Sequence, residues 1–434
     1  MRSRKVKFDF KVSKRKMVSF LLCIAPILAT YASPINIISM GEVLIGVVFV
    51  MILGTHKNKG YSKIAYFLPF LAYICITTIL MSLLQSNILL SEVVKELGVL
   101  LIYFILAIYI SSRMDIICFL DIYVKVAFLC SIFLVLQATF HLITGIWIPG
   151  IIPNLPGADT ANTSTFIATT TRACSTFSEP AHFAQYVAIP LVYTLLKNNK
   201  QTSDIKYMSV ILLALLLSFS GNAVAVIAVA IGAYYIKMLD IKNAKRVFQA
   251  VVLATISIIA FCIVLKYSVS LQSLLERLTS GEIVGKTSSR YSGYVRIVRG
   301  YLVYNKFDFI YKIFGVGIGN YEVFAMQNAG DVLLSVTSMI PGYLNGIQYY
   351  LTGGGIIGLI LYLRLVMKKA LTSGYVNKII LIEFLALSAI AAFNTNERWF
   401  VFLIVLLQGD FMKDSIIRRK ENEQDIHNNI TSYN

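Results

Sequence analysis

The chain has 434 residues, 57% hydrophobic and 14% charged, with a mean hydropathy of +0.73 and a formal net charge of +17. Soluble domains carry about 25% charged residues, so this composition belongs to a membrane protein and excludes an ordinary soluble enzyme. The basic excess sits in clusters beside apolar runs, where it faces anionic lipid headgroups, and this excludes nucleic acid as a partner.

In chain order, Arg2, Arg4, Lys5, Lys7, Lys11, Lys14, Arg15 and Lys16 precede the first apolar run. No small-residue cleavage site follows Tyr31 and Pro34 opens a second run, so the first is read as an uncleaved helix. A bilayer core needs roughly 20 residues of helix, and about twelve runs meet or approach that length. They lie near 17–33, 35–54, 64–84, 93–110, 120–145, 181–196, 207–220, 222–238, 247–266, 341–363, 376–394 and 398–412. Ser218-Phe219-Ser220-Gly221-Asn222 is a polar break suited to a tight reversal between two of them. The predicted fold is an all-α polytopic membrane protein, a single domain over residues 1–434.

Further basic clusters fall at Lys57/Lys59/Lys63, Lys197/Lys200/Lys206, Lys237/Lys242/Lys245/Arg246, Arg364/Lys368/Lys369/Lys378 and Lys413/Arg418/Arg419/Lys420. All lie on one side of the membrane if both termini are cytoplasmic, as the positive-inside bias requires. The polar, Asn-rich tail at 413–434 is then cytoplasmic. Segments 146–180 and 267–340 become long loops on the opposite side, and they carry Arg172, Arg290, Arg296 and Arg299 against the bias. Cations retained there suggest an anionic substrate group handled outside.

The second loop is partly helical. Tyr294, Ile297, Val298, Tyr301 and Leu302 recur at helical spacing, with Ser288 or Ser289 as the cap. On that helix Arg290 projects with the apolar face, whereas Arg296 and Arg299 project opposite, onto a solvated or headgroup face. A guanidinium on a packing face needs a counter-charge. Glu276, Glu282 or Asp308 would supply a salt bridge; a bound phosphate, gripped bidentately, is the alternative. In the first loop, Ser178 reads as an N-cap with Glu179 and Pro180 in the first turn. Capping does not explain why Arg172, Glu179 and His182 gather at one membrane boundary, and ionisable groups there suggest a site.

Other features carry less chemistry. Gly315-Val-Gly-Ile-Gly319-Asn320-Tyr321 lacks the strand–turn–helix setting of a nucleotide loop and reads as close backbone packing or room for a sugar or lipid head. Gly353-Gly354-Gly355 likewise permits close helix approach. Lys95 and Glu96 read as helix-neighbour pairing, and Asp121 with Lys125 as an i, i+4 pair. Cys23, Cys75, Cys118, Cys130 and Cys262 lie in or beside apolar runs, leaving Cys174 in a loop, which supports neither a disulfide framework nor a thiolate site. With only His56, His141, His182 and His427, no metal centre and no cofactor are expected.

The stretch from Arg172 through Ser175-Thr-Phe-Ser-Glu-Pro-Ala-His-Phe-Ala184 resembles the "R…S.F.EP…FA" segment of Wzy-type O-antigen and capsular polysaccharide polymerases. Ser289-Arg290 followed by Phe314-Gly-Val-Gly-Ile-Gly-Asn-Tyr321 is similar to the long outer loop shared with the O-antigen ligases, and Asn345…Gly355-Ile-Ile-Gly-Leu359 to the next span. The likeness covers roughly residues 160–365 in order. It implies a metal-independent glycosyltransferase of the bacterial inner membrane that joins undecaprenyl-pyrophosphate-linked oligosaccharides on the outer face, with a chain-length regulator as a further partner. It also implies Arg172 and Arg290 on the pyrophosphate and Glu179 or His182 on the attacking hydroxyl. The full candidate set is Arg172, Glu179, His182 and Arg290 for catalysis, with Tyr291, Arg296, Arg299, Asn320 and Asn345 for substrate binding. The ligases carry a His immediately before the Asn matched by Asn345; Leu344 stands there, which favours polymerase over ligase. A lipid-linked oligosaccharide flippase is the non-enzymatic alternative.

Overall fold

A computed structural model describes residues 13–34, 38–54, 67–85, 89–152, 172–197, 201–238, 292–330 and 344–408. Every regular element among them is helical; the β content is one isolated bridge, Ala32 to Ser39. In chain order the helices are α1 (Lys14–Leu28), α2 (Met40–Ile52), α3 (Leu68–Leu84), α4 (Leu90–Ser111), α5 (Ile116–Thr144), α6 (Pro180–Leu196) and α7 (Thr202–Leu217). They continue with α8 (Gly221–Met238), α9 (Ser292–Asn305), α10 (Phe309–Phe314), α11 (Tyr321–Asn328), α12 (Gly346–Thr372), α13 (Tyr375–Ile390) and α14 (Glu397–Gln408). Eleven of the expected apolar runs coincide with helices α1–α8 and α12–α14; the run near 247–266 lies outside the described residues. By length and composition α4, α5 and α12 are able to cross a bilayer. Large apolar side chains such as Leu83, Leu84, Ile102 and Leu142 are exposed on the outside of the bundle, as lipid contact requires.

Local chemistry sets the helix ends. Ser39 and Glu42 form a capping box on α2, and Asn345 and Gln348 another on α12. Helix α5 starts on an Asp115 cap and stops at Gly145, whose φ of 72° is the left-handed turn that ends helices. The polar break after α7 is the expected reversal: Ser218 ends α7, Phe219 adopts φ 46°, and Gly221 opens α8.

Hydrogen bonds define the two ends of the bundle. At one end, which we call the loop end, Asn345 Nδ2 at the start of α12 donates to Ala389 O at the end of α13 (2.8 Å), and Asn222 Nδ2 of α8 to Ala181 O of α6 (3.5 Å). At the other, Lys197 pairs with Asp204 (3.4 Å), Arg15 with Asp115 (3.8 Å), Lys237 donates to Leu196 O (2.6 Å) and Gln408 reaches the Ser111 carbonyl. The basic residues Lys14, Arg15, Lys16, Lys197, Lys206 and Lys237 therefore gather at the second end, the basic end. Within α4 Lys95 pairs with Glu92 (3.5 Å), and in α5 Asp121 accepts from the Tyr193 hydroxyl of α6 (3.4 Å), a cross-helix bond that spacing within one helix does not reveal.

The glycine run after α10 is packed as expected, against backbone. Helix α12 is kinked at Gly355, where φ is 65°. The carbonyls of Thr352 and Gly353 are thereby turned to accept from Val316 N and Gly317 N, both at 2.9 Å. Alongside α3, Ile318 N donates to Thr78 Oγ1 (3.0 Å) and Asn320 Nδ2 to Ser82 Oγ (3.1 Å), while Tyr73 Oη donates to the Gly354 carbonyl (2.9 Å). From Ser82 to Tyr73 the helix axis advances about 13 Å. Residues 314–320 thus dip into the bundle between α3 and α12, their non-helical backbone satisfied by protein groups as a dry environment demands.

One expectation is corrected here. Helix α9 does form, but its packing face is centred on Arg299, Gly300 and Val303, all buried, with Ile297, Val298, Tyr301 and Leu302 only half-buried. Arg299 is 1% exposed rather than solvated. The cause is Gly300, which lets α9 approach α12 so closely that an added Cβ would strike Gln348, whose Nε2 donates to Ile297 O at 2.7 Å. Close approach at a glycine outweighs the apolar stripe.

Gly355→Ala is expected to destabilise the purified protein by about 2 kcal/mol or more, because a Cβ there meets the Ile313 backbone in a left-handed conformation. Gly232→Ala, whose methyl enters open space within α8, is expected to be neutral or stabilising by up to about 1 kcal/mol. Thermal unfolding of both variants in detergent checks the contrast; equal losses would contradict it.

Candidate functional site

The segment entering α6 is held by one glutamine. Gln137 lies inside the apolar α5 and is 1% exposed. Its Oε1 accepts from Ser175 N (2.8 Å), and its Nε2 donates to Ser175 O and Ile148 O (both 3.1 Å). Ser175 Oγ adds a bond to Cys130 O at 2.7 Å. This clamp keeps Ser175 at φ 57°, a left-handed conformation that a non-glycine residue adopts at a cost of order 1–3 kcal/mol. Removing one side of it would strand buried backbone groups, each costing about 1–3 kcal/mol.

Four ionisable groups meet around this turn. Arg172 Nη1 donates to Phe219 O at the α7–α8 reversal (3.2 Å). Glu179, not Ser178, is the N-cap residue of α6, with Pro180 at the first helical position and no side-chain capping bond. Ser178 was expected to cap because serine commonly does so; instead its hydroxyl bonds His182 Nδ1 at 2.9 Å. His182 and Arg172 are half-buried, and so is Glu179. The fourth group is Arg398, opening α14. Its Nε donates to Gln185 Oε1 of α6 (2.9 Å), and Glu397 and then Glu179 are the carboxylates acting on it.

Glu397 is itself buried and accepts from the Ser39 hydroxyl. Glu42, three residues on in the same capping box, accepts from Tyr103 Oη of α4 at 3.3 Å. A partly buried chain of polar bonds therefore runs from Tyr103 and Glu42 through Ser39 and Glu397 to Arg398 and Gln185, with Glu179 acting on Arg398 electrostatically. The residues at positive φ that are not glycine, among those described, are Ser175, Phe219 and Thr395. All three border this cluster: Ser175 in the clamped turn, Phe219 as the Arg172 acceptor, and Thr395 just ahead of Glu397. Strain of this kind persists where surroundings over-determine it, and its concentration here marks the loop end as the candidate site.

Apolar burial pushes the Cys174 thiol up to about 11, with Glu179 raising it further and Arg172 opposing. Arrangement and charge thus suit anion binding by Arg172, beside a carboxylate and an imidazole able to exchange a proton.

The remaining candidates fall elsewhere. Arg299 is placed near Tyr321 of α11 rather than near Arg172. Asn320 is 1% exposed and its Nδ2 is engaged by Val316 O and Ser82 Oγ, so it ties the dipping segment together. Asn345 is fully buried and spends both ends of its amide on capping α12 and holding α13. Arg290 and Tyr291 lie outside the described residues, and of Arg296 only the helical backbone is described. Glu397, Arg398, Gln185, Gln137 and Glu42 are absent from the sequence-based set. Their signal was available as polar residues set inside or at the lip of apolar runs, above all an adjacent Glu397-Arg398 directly before Trp399.

Compared with protein-family models and with curated proteins, the chain matches none.

In a variant keeping Cys174 as its only cysteine, alkylation should speed up about tenfold per pH unit from pH 7 to 10. The thiolate is the nucleophile, and a raised value keeps its fraction climbing throughout that range. An ordinary thiol, near 8.5, would level off above about pH 9, and that plateau would contradict the raised value. Adding Gln137→Ala should accelerate the reaction at every pH by releasing the turn.

Proposed function

We propose that the chain is a polytopic glycosyltransferase, with about twelve spans and both termini cytoplasmic. In this reading it polymerises undecaprenyl-pyrophosphate-linked oligosaccharide repeat units into O-antigen or capsular polysaccharide. The basic end of the bundle faces the cytoplasm, and the loop end faces outward. One observation carries the reading. Arg172, Glu179 and His182, three residues of the segment that resembles polymerases, stand at the end opposite the basic clusters, where Arg172 and Glu179 both act on Cys174 and Arg398 acts on Glu179.

The chemistry proceeds as follows. The terminal hydroxyl of one lipid-linked repeat attacks the anomeric carbon of the glycan on a second carrier. A new C–O bond forms, and the bond from that carbon to the pyrophosphate oxygen breaks. The departing undecaprenyl pyrophosphate takes the electron pair. Arg172, with Arg290 by resemblance, holds that leaving group, where fixed positive charge lowers a barrier most because negative charge grows there. Glu179 or His182 receives the hydroxyl proton. The bond from Ser178 orients the His182 ring, and Arg398 acts on Glu179 from the opposite side, as a positioning residue.

A transporter reading has one specific observation in its favour. Glu383, in the middle of α13, is wholly buried with neither carboxyl oxygen hydrogen-bonded among the described residues, and intramembrane carboxyls are common in transport paths. The two readings differ in what a deletion strain accumulates: single repeat units displayed outside for the polymerase, carrier-linked units retained inside for the transporter.

Arg172→Ala and Arg290→Ala, expressed in a deletion strain, should leave the protein in the membrane and reduce the glycan ladder to single units. The rate loss expected for removing one stabiliser of the developing charge is about 10²–10³-fold. Arg172→Lys should restore only part of it, since lysine lacks the planar fork. Unchanged ladders from both alanine variants would end the polymerase reading.

A further inference from the structure

A second cavity-like site at the loop end plays no part in the chemistry above. It encloses about 450 Å³ between the start of α4, helix α11 and the start of α12, and its floor is the dipping glycine segment. That is within the span of roughly 300–1,000 Å³ typical of ligand pockets. Its polar lining includes Glu92 and Glu96 from α4, Tyr321, Glu322 and Gln327 from α11, and Tyr349 and Thr352 from α12. Leu89, Val323, Met326 and Leu344 supply apolar wall.

Two features point to a particular ligand chemistry. Among the described residues the lining holds three carboxylates and neither lysine nor arginine; with Lys95 paired to Glu92 and Arg299 near Tyr321 at its edge, carboxylates still exceed cations by one, so an anion entering it is disfavoured. Tyr321 is only 6% exposed, lines the cavity, and its hydroxyl has no hydrogen-bond partner among the described residues. A buried hydroxyl left unpaired is costly, so a ligand that bonds it gains more than one bonding an exposed group. The Tyr349 hydroxyl faces the Glu96 carboxylate across the same wall, placing a second hydroxyl and an acceptor within one binding surface. Carboxylates paired with tyrosine hydroxyls, set against apolar side chains, suit a group rich in hydroxyls with one apolar ring face.

We propose that this cavity binds a glycosyl unit bearing no negative charge, neutral or amino-substituted, through Glu96, Tyr321 and Tyr349, and that it rejects uronic acids. That the ligand is a saccharide rests on the polymerase reading; the charge selectivity rests on the cavity alone. With the pyrophosphate held at Arg172 and the sugar held here, the two sites would lay a lipid-linked glycan across the loop end in one direction only.

Saturation-transfer NMR on the detergent-purified full chain tests this with maltotriose, chitotriose and trigalacturonate as probes. Transfer is expected to maltotriose or chitotriose and absent for trigalacturonate. Tyr321→Phe, which removes one oxygen and keeps the ring, and Glu96→Gln should each weaken binding by about fivefold, the weight of one ordinary hydrogen bond. Transfer to trigalacturonate as strong as to the others, transfer to none, or binding unaltered in both variants would overturn the proposal. The glycan ladders of the Arg172 variants report on the polymerase reading separately. Unchanged ladders alongside intact, charge-selective saccharide binding would remove that reading and leave the cavity's ligand class standing.

Discussion

A buried guanidinium at the lip of α14 is the constraint around which the loop end is organised. Arg398 is 9% exposed and Glu397, beside it, 7%. Taking either charge out of water alone would cost several kcal/mol, so both must be bonded, and their partners come from other helices. Glu397 takes the Ser39 hydroxyl at the start of α2, and Arg398 takes Gln185 on α6. Glu42 brings Tyr103 of α4 into the same chain. Non-directional apolar packing would let these helices slide; hydrogen bonds to charged groups hold them in register. The polar turn carrying Arg172 and Glu179 is therefore presented on a scaffold fixed from several sides. The Gln137 clamp then sets the conformation of the turn itself.

Much of the fold was legible because it follows from apolar length and punctuation. Apolar runs became helices, the Ser218–Asn222 break became a reversal, and the glycine run packed backbone against backbone at the kink of α12. What failed was face and cap assignment. The stripe of Ile297, Val298, Tyr301 and Leu302 implied one packing face on α9, yet Gly300 rotated the helix so that Arg299 turned inward. A periodicity count weighs large apolar residues and is blind to the close approach that a missing side chain allows. Ser178 was misplaced as a cap because its hydroxyl has a better partner one turn on, in His182.

Site residues were legible only where they broke a rule visible in one dimension. Arg172 violates the charge bias of outer loops, so it stood out; Glu179 and His182 stood out with it. Arg398 breaks the same bias, but it lies in the short link between two apolar runs rather than in a long loop. Gln137 and Gln185 are uncharged and vanish within hydrophobic helices, although a lone amide there must find partners. Pairings such as Ser39 with Glu397, distant in sequence, are three-dimensional facts that no local pattern encodes. The loop end thus holds two polar sites, one of arginines matched by the carboxylates of Glu179 and Glu397, the other richer in carboxylates, in the cavity beside α11.

All of this requires the loop end to face away from the cytoplasm. The direct measurement is labelling of single cysteines in an otherwise cysteine-free chain by a membrane-impermeant maleimide in intact cells. Asn328→Cys on the exposed surface of α11 and Lys206→Cys on exposed α7 mark the two ends. The account predicts that the first reacts at once and the second only after the membrane is permeabilised. The opposite pattern would place the arginine site in the cytosol and contradict it.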